Sequence, residues 1–187
     1  MIVILRGHIR NTFTNNQLYI LLKIIQKIVP IKLYIHTWNV QQSNVSWRNI
    51  ESDNTAITKE LICGYFKDIP IKHIIIDDDK KIELVGNVMG NIIGTAMPTI
   101  GWKKYWYGQH QIINFLKLSN CCGDELILNI RFDILNNSCS FTKNDIVQFV
   151  IDNSNKKISN NYLINCSVQN GPKPGCDNAI IGNIDTI

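Results

Sequence analysis

Residues 125–135 read E-L-I-L-N-I-R-F-D-I-L, and this run decides how the rest of the chain is arranged. Ile127, Ile130, Phe132 and Ile134 give it the apolar, β-branched character of a buried strand. Arg131 and Asp133 interrupt it two residues apart, so a continuous strand would point both side chains to one face. Opposite charges at the end of a buried strand are costly unless they are paired or engaged by a ligand. Open α/β sheets bind ligands beyond the carboxyl ends of their strands, and the polar run Asn136-Asn137-Ser138 ends this one at once. Asp133 therefore has two readings. It is the ion-pair partner of Arg131, or it is a carboxylate that holds a divalent cation bridging a diphosphate.

Outward from this run, short β stretches alternate with segments of helical period. Strands are expected near 1–5, 31–35, 71–76 and 125–132. Between them Leu18, Leu21, Leu22, Ile25 and Ile28 fit a 3.6-residue period, with Pro30 as the stop. Thr58–Phe66, Trp102–Leu118 and Thr142–Val150 read as further helices, and Tyr162–Val168 as a late strand. Strand–helix–strand order implies parallel neighbours. The expectation is an α/β protein, one domain over 1–187, with a mostly parallel open sheet and helices on both faces. The tail N-G-P-K-P-G-C-D-N-A reads as a rigid loop that presents Asp177, either as a functional carboxylate or as the cap of a short final helix.

Composition narrows the class. With 187 residues, 45% apolar and 18% charged, the chain can bury a sizeable core. A formal charge of +4 with scattered lysines lacks the dense basic patch of a nucleic-acid binder. The six cysteines have no metal-ligand spacing, which implies reduced, mostly buried thiols in a cytoplasmic setting. The opening M-I-V-I-L-R-G is too short an apolar run for a signal peptide, and no stretch reaches the roughly 20 residues of a membrane span. Heavy use of Ile, Asn and Lys points to AT-rich coding, as in large DNA viruses or AT-rich bacteria. Arginine occurs only at 6, 10, 48 and 131, so each marks a place where a planar bidentate fork is wanted.

Polar clusters gather at the strand ends. The first strand opens into Arg6-Gly7-His8-Ile9-Arg10, and the second into His36-Thr37-Trp38-Asn39. Neither is a Gly-rich phosphate loop. Trp47-Arg48 lies in the loop beyond. Asp77-Asp78-Asp79 ends the third strand, but adjacent strand residues point to opposite faces, and acid-then-lysine runs are usually solvated turns. Residues 84–101, with Gly86, Gly90, Gly94 and Gly101, read as a loop shaped by close backbone approach. In the long helix, Tyr105, Gln109, Ile112, Ile113 and Leu116 share a core face from which Gln109 reaches the cleft. Arg6, Gly7, Trp38 and Asp133 are thus expected to line one cleft.

Five pieces together resemble small GT-A-type glycosyltransferases of the lipopolysaccharide-synthesis kind and related capsule or viral proteins. They are I-L-R-G-H-I-R (4–10), Y-I-H-T-W (34–38), W-Y-G-Q-H (106–110), R-F-D (131–133) and G-C-D-N-A-I-I-G (175–182). The resemblance implies transfer of a hexose from a nucleotide diphosphate sugar to a glycan or polyol hydroxyl, or binding of such a ligand without turnover. It places Arg6 and Gly7 at the donor nucleotide, with Arg10, Trp38, Gln109 and Arg131 around it. In that family an acid after the central strand, usually within D-x-D, binds Mn²⁺ or Mg²⁺ and the donor diphosphate. Only Asp133 carries over, because Arg131 stands where the first acid would be. Asp177 would lie on the acceptor side, as base or as a sugar-positioning residue. The chain ends soon after this last piece, which would make it a minimal domain or one short of part of its acceptor site.

Overall fold

The structure is a computed structural model that describes residues 1–46, 50–119, 125–136, 141–154, 162–165 and 175–187, without the side chains of 162–165 and 175–177. Its elements are β1 (Ile2–Arg6), the 3-10 turn η1 (Arg10–Thr14), α1 (Gln17–Ile28), β2 (Lys32–Trp38), β3 (Val40–Gln42), β4 (Asp53–Ala56), α2 (Lys59–Phe66), β5 (Ile71–Asp77), α3 (Thr99–Ser119), β6 (Ile127–Arg131), α4 (Lys143–Ser154), β7 (Tyr162–Asn165) and β8 (Gly175–Gly182). Six strands form one sheet in the order β5-β2-β1-β6-β8-β7, while β3 and β4 make a separate antiparallel hairpin. β5, β2, β1 and β6 are mutually parallel; β8 runs antiparallel to β6, and β7 antiparallel to β8, so that only β8 opposes the common direction. The sheet is α/β and mostly parallel, as the alternation of runs implies.

Strand β1 explains why. Its apolar run Ile2–Leu5 is fully buried because it has a parallel strand on each side and a helix layer on each face. Val3, Leu5, Leu33, Ile35, Leu128 and Ile130 point to the layer formed by α1, α2 and α4, joined there by Leu21, Phe66 and Ile146. Ile2, Ile4, Tyr34 and Ile127 point the other way, onto Ile112 and Leu116 of α3. Residues of even alternation on β1 therefore face α3, and Arg6 falls on that face with Ile2 and Ile4. The same period carries Asn129 and Arg131 to the α3 side along with Ile127.

The helices begin where their caps allow. The Thr58 side chain accepts from the Leu61 N–H at 3.2 Å to open α2. Thr142 and Asp145 bond reciprocally at the start of α4, with Thr142 N–H on the Asp145 carboxylate at 2.7 Å and Asp145 N–H on the Thr142 hydroxyl at 3.2 Å.

Several expectations shift. The central strand ends at Arg131, and residues 132–135 turn, so Asp133 folds back toward Arg131 instead of sharing a strand face with it. The tail from Gly175 to Gly182 is a strand and not a loop leading to a helix, because Ala179, Ile180 and Ile181 find ladder partners on β6. Cys63 is exposed on α2. Trp47 and Arg48 lie outside the described residues, as do the remainder of the 136–138 run and the side chains of the other cysteines. No helix among the described residues is long and apolar enough to cross a membrane.

Candidate functional site

From β1 the sheet steps to β2 and β5 on one side and to β6 on the other. Strand order reverses between β1 and β6, and connections that diverge there leave a crevice at the carboxyl edge. A pocket occupies that place. Among the described residues it is lined by Arg6 at the end of β1 and Gly7, His8 and Arg10 after it, His36 and Trp38 of β2, Arg131 of β6, and Lys104, Tyr105 and Gly108 of α3, together with Ser43, Val45, Ser46, Met97 and Gly101. Gly7 turns the chain out of β1 at φ 93°, a conformation that side chains disfavour.

Four cationic side chains line this pocket and no described lining residue is a carboxylate. Arg6 and Arg131 are direct partners in the β1–β6 ladder, a like-charge pair that is unfavourable in isolation. Each is fixed by neighbours. Arg6 is 2% exposed; its Nε donates to Asn129 Oδ1 at 2.6 Å, its Nη2 to the Tyr105 hydroxyl at 2.6 Å, and its guanidinium lies 4.2 Å from the Tyr105 ring centre. Arg131 donates from Nε to Asp133 Oδ1 at 2.7 Å and from Nη2 to Oδ2 at 2.9 Å, the bidentate fork that lysine cannot make. Arg10 reaches the same carboxylate, Nη1 to Oδ2, at 2.7 Å. It does so from φ 54°, a left-handed backbone that costs a non-glycine residue about 1–2 kcal/mol and that persists where surrounding structure demands it.

The carboxylates stand behind the cations. Asp133 is 1% exposed and both of its oxygens accept guanidinium donors. Asp79 pairs with the buried Lys104 at 3.1 Å, whose ammonium also lies 5.8 Å from the Trp38 ring. Asp77 accepts from His36 Nε2 at 3.1 Å, and that bond holds its carboxyl below the usual range against the opposing effect of burial. Of the three consecutive aspartates only Asp78 behaves as a solvated turn residue, bonding Lys80 N–H and Lys81. The other two support the pocket wall, an outcome the acid-then-lysine pattern did not suggest.

His8 reports the field inside. Burial first, then the charges of Arg10, Lys104 and Arg131 against the opposing Asp79, hold its pKa down to about 3. The imidazole is neutral at neutral pH, and its Nε2 has no hydrogen-bond partner among the described residues. Unfolded His8 binds a proton below pH 6.5, whereas the folded protein resists protonation until about pH 3. Stability attributable to this group is therefore complete above pH 6.5 and falls through that window, by up to about 1.4 kcal/mol per pH unit. His8→Gln should flatten the acid limb of stability measured by urea unfolding at pH 4 to 7. Parallel limbs for the two proteins would count against the assignment.

The expected site residues are thus partly gathered. Arg6, Gly7, Arg10, Trp38 and Arg131 line the pocket. Asp133 supports it from behind. Gln109 is buried on α3 but is not among the described lining residues, because Gly101, Lys104, Tyr105 and Gly108 form the helix face that meets the pocket. Asp177 lies in β8, which enters the sheet from the carboxyl edge; Ala179 pairs with Ile130, so the Asp177 backbone belongs to the same edge as Arg131. His8, His36, Asn129, Lys104 and Tyr105 were not expected as site residues. The one sequence signal for the α3 pair was a lysine inside a helix face that otherwise reads as core.

A divalent cation does not fit the residues present. Hard cations take several oxygen ligands at about 2.0–2.6 Å, yet both Asp133 oxygens are engaged by arginine. Four cations line the approach, and each unit charge at 4 Å opposes another by about 4 kcal/mol at an effective dielectric of 20. Among the described residues no group of three or more His, Cys, Asp or Glu side chains is placed to hold a metal. The cation-ligand role expected of Asp133 gives way to that of an arginine anchor, because the turn after Arg131 carries the carboxylate back onto two guanidinia.

Fold and site together define an α/β protein with a cation-lined crevice at the reversal point of a mostly parallel sheet. Compared with protein-family models, with curated proteins and with solved structures, the chain matches none.

Proposed function

We propose that the chain is a GT-A-type glycosyltransferase that takes a nucleotide diphosphate sugar as donor and a glycan or polyol hydroxyl as acceptor. The observation that carries this reading is the pocket of four cations, without a described carboxylate in its lining, at the strand-order reversal. Such a pocket suits a ligand with several negative charges. In sugar transfer the bond from the anomeric carbon to the diphosphate breaks and charge grows on the leaving phosphate oxygens. Arg6, Arg10 and Arg131, which line the pocket, would stabilise that charge, and fixed donors in a partly desolvated site are worth more there than in water. Trp38 and Tyr105 line the same pocket and would lend it aromatic surface for the donor. Asp177, at the same sheet edge, is the residue proposed to accept the acceptor proton.

The second reading is a domain that binds the nucleotide sugar or a glycan without turnover. It is favoured by the fate of Asp77, Asp79 and Asp133, all of which are engaged by His36, Lys104 or arginine and none of which is placed as a base. Release of nucleoside diphosphate from a panel of nucleotide sugars, with glycerol and simple glycosides as acceptors, tests the proposal. The expected result is release with at least one donor, falling about 10²- to 10⁴-fold in Asp177→Asn if that carboxylate is the general base. A thermal shift with a donor but no release at any acceptor concentration would leave binding alone. No shift and no release would remove both readings.

A further inference from the structure

We propose that Arg6, Arg10 and Arg131, the last two anchored by Asp133, take the place of a divalent cation, so that this pocket binds a diphosphate without metal. The inference rests on the nucleotide-sugar reading above and concerns how that same site meets its anion. A cation bound to a donor diphosphate does two things: it neutralises charge on the phosphate oxygens, and it fixes their orientation. The chain supplies both from its own side chains. Three of its four arginines converge on the crevice. Guanidinium forks match phosphate oxygens bidentately and keep their charge at every relevant pH.

Orientation comes from the supports. Asp133 takes two donors from Arg131 and one from Arg10. One buried carboxylate thereby sets two of the three forks in place. Asn129 and Tyr105 set the third. Preorganised donors need no rearrangement when the anion arrives. The left-handed backbone at Arg10 belongs to the same arrangement, since it is the conformation from which that side chain reaches Asp133.

Calorimetric titration of the whole chain with inorganic pyrophosphate, UDP and GDP, in excess EDTA and again in Mn²⁺, tests this directly. The expected result is binding of at least one of these in EDTA, with affinity changing less than threefold on adding Mn²⁺. Binding that requires Mn²⁺, or tightens more than threefold with it, would overturn the inference and leave the nucleotide-sugar reading standing. No binding of any of the three under either condition would overturn both. In EDTA, Arg10→Lys, which keeps the charge and loses the fork, should weaken the tightest of these ligands about tenfold. An unchanged affinity in a folded Arg10→Lys protein would remove Arg10 from the anion site and overturn the three-arginine arrangement. Should that variant not fold, the comparison of EDTA with Mn²⁺ on the unaltered chain still decides.

Discussion

Asp133→Asn should destabilise the protein by about 3 kcal/mol, the lower end of the 3–5 kcal/mol typical when one partner of a buried ion pair is removed. The lower end applies because the side chains of Arg10 and Arg131 retain 14% and 23% exposure, which lets water compensate part of the loss. Asparagine keeps the shape and one acceptor oxygen but removes the charge that both guanidinia share. It also turns an amide N–H₂ toward a donor that had an acceptor. For a chain of this size the change corresponds to a fall in Tm of roughly 6–12 °C. A carboxylate whose task was to hold a cation would behave oppositely, since its removal would relieve repulsion in the empty site and spare the fold. Melting curves in EDTA decide: an Asp133→Asn protein that melts with the unaltered chain would refute the anchor role.

Gly108→Ala should destabilise by about 2 kcal/mol, against the usual sense of that substitution in a helix. In an exposed helix the change would gain up to about 1 kcal/mol of propensity. Here a Cβ would stand 2.5 Å from His36 Nδ1 and 2.8 Å from its Cε1. His36 cannot step aside easily, because it is fully buried and its Nε2 is held by Asp77. Helix α3 must then lift from β2, with the cost of about 1–3 kcal/mol that overpacking carries. The displacement would also draw Lys104 and Tyr105 away from the pocket, so diphosphate binding should weaken together with stability. A variant with raised or unchanged Tm would show that α3 does not rest on His36 through this glycine.

The layout of the chain was legible in its sequence for a simple reason. Runs such as Ile2–Leu5 and Ile127–Ile130 are buried on both faces, so their continuous apolar character survives any detail of packing. The 3.6-residue period of Leu18, Leu21, Leu22 and Ile25 likewise needs only that one helix face be covered. Arg6, Gly7 and Trp38 could be placed in one cleft because parallel strands put their carboxyl ends on one edge, whereas Asp133, expected beside them, stands behind the pocket. The hairpin β3–β4 was not visible because its short runs V-Q-Q and D-N-T-A carry no apolar strand pattern, and the strand at Gly175–Gly182 because its pairing depends on β6, distant in sequence.

Only the tertiary structure decided what the charged residues do. In sequence Arg131 and Asp133 fit a strand-end ion pair and a cation site equally well, because spacing alone does not say who else reaches the carboxylate. Arg10, 123 residues away, settles that through a turn that ends β6 at Arg131, two residues before Asp133. Asp77 and Asp79 looked like a solvated acidic turn until α3 brought Lys104 against one and β2 brought His36 against the other. Local sequence determined which residues are strand, helix and edge in this protein. The counterion of each buried charge was chosen by elements that meet only when the sheet assembles, and a low-dielectric interior makes that choice the one with the larger energy.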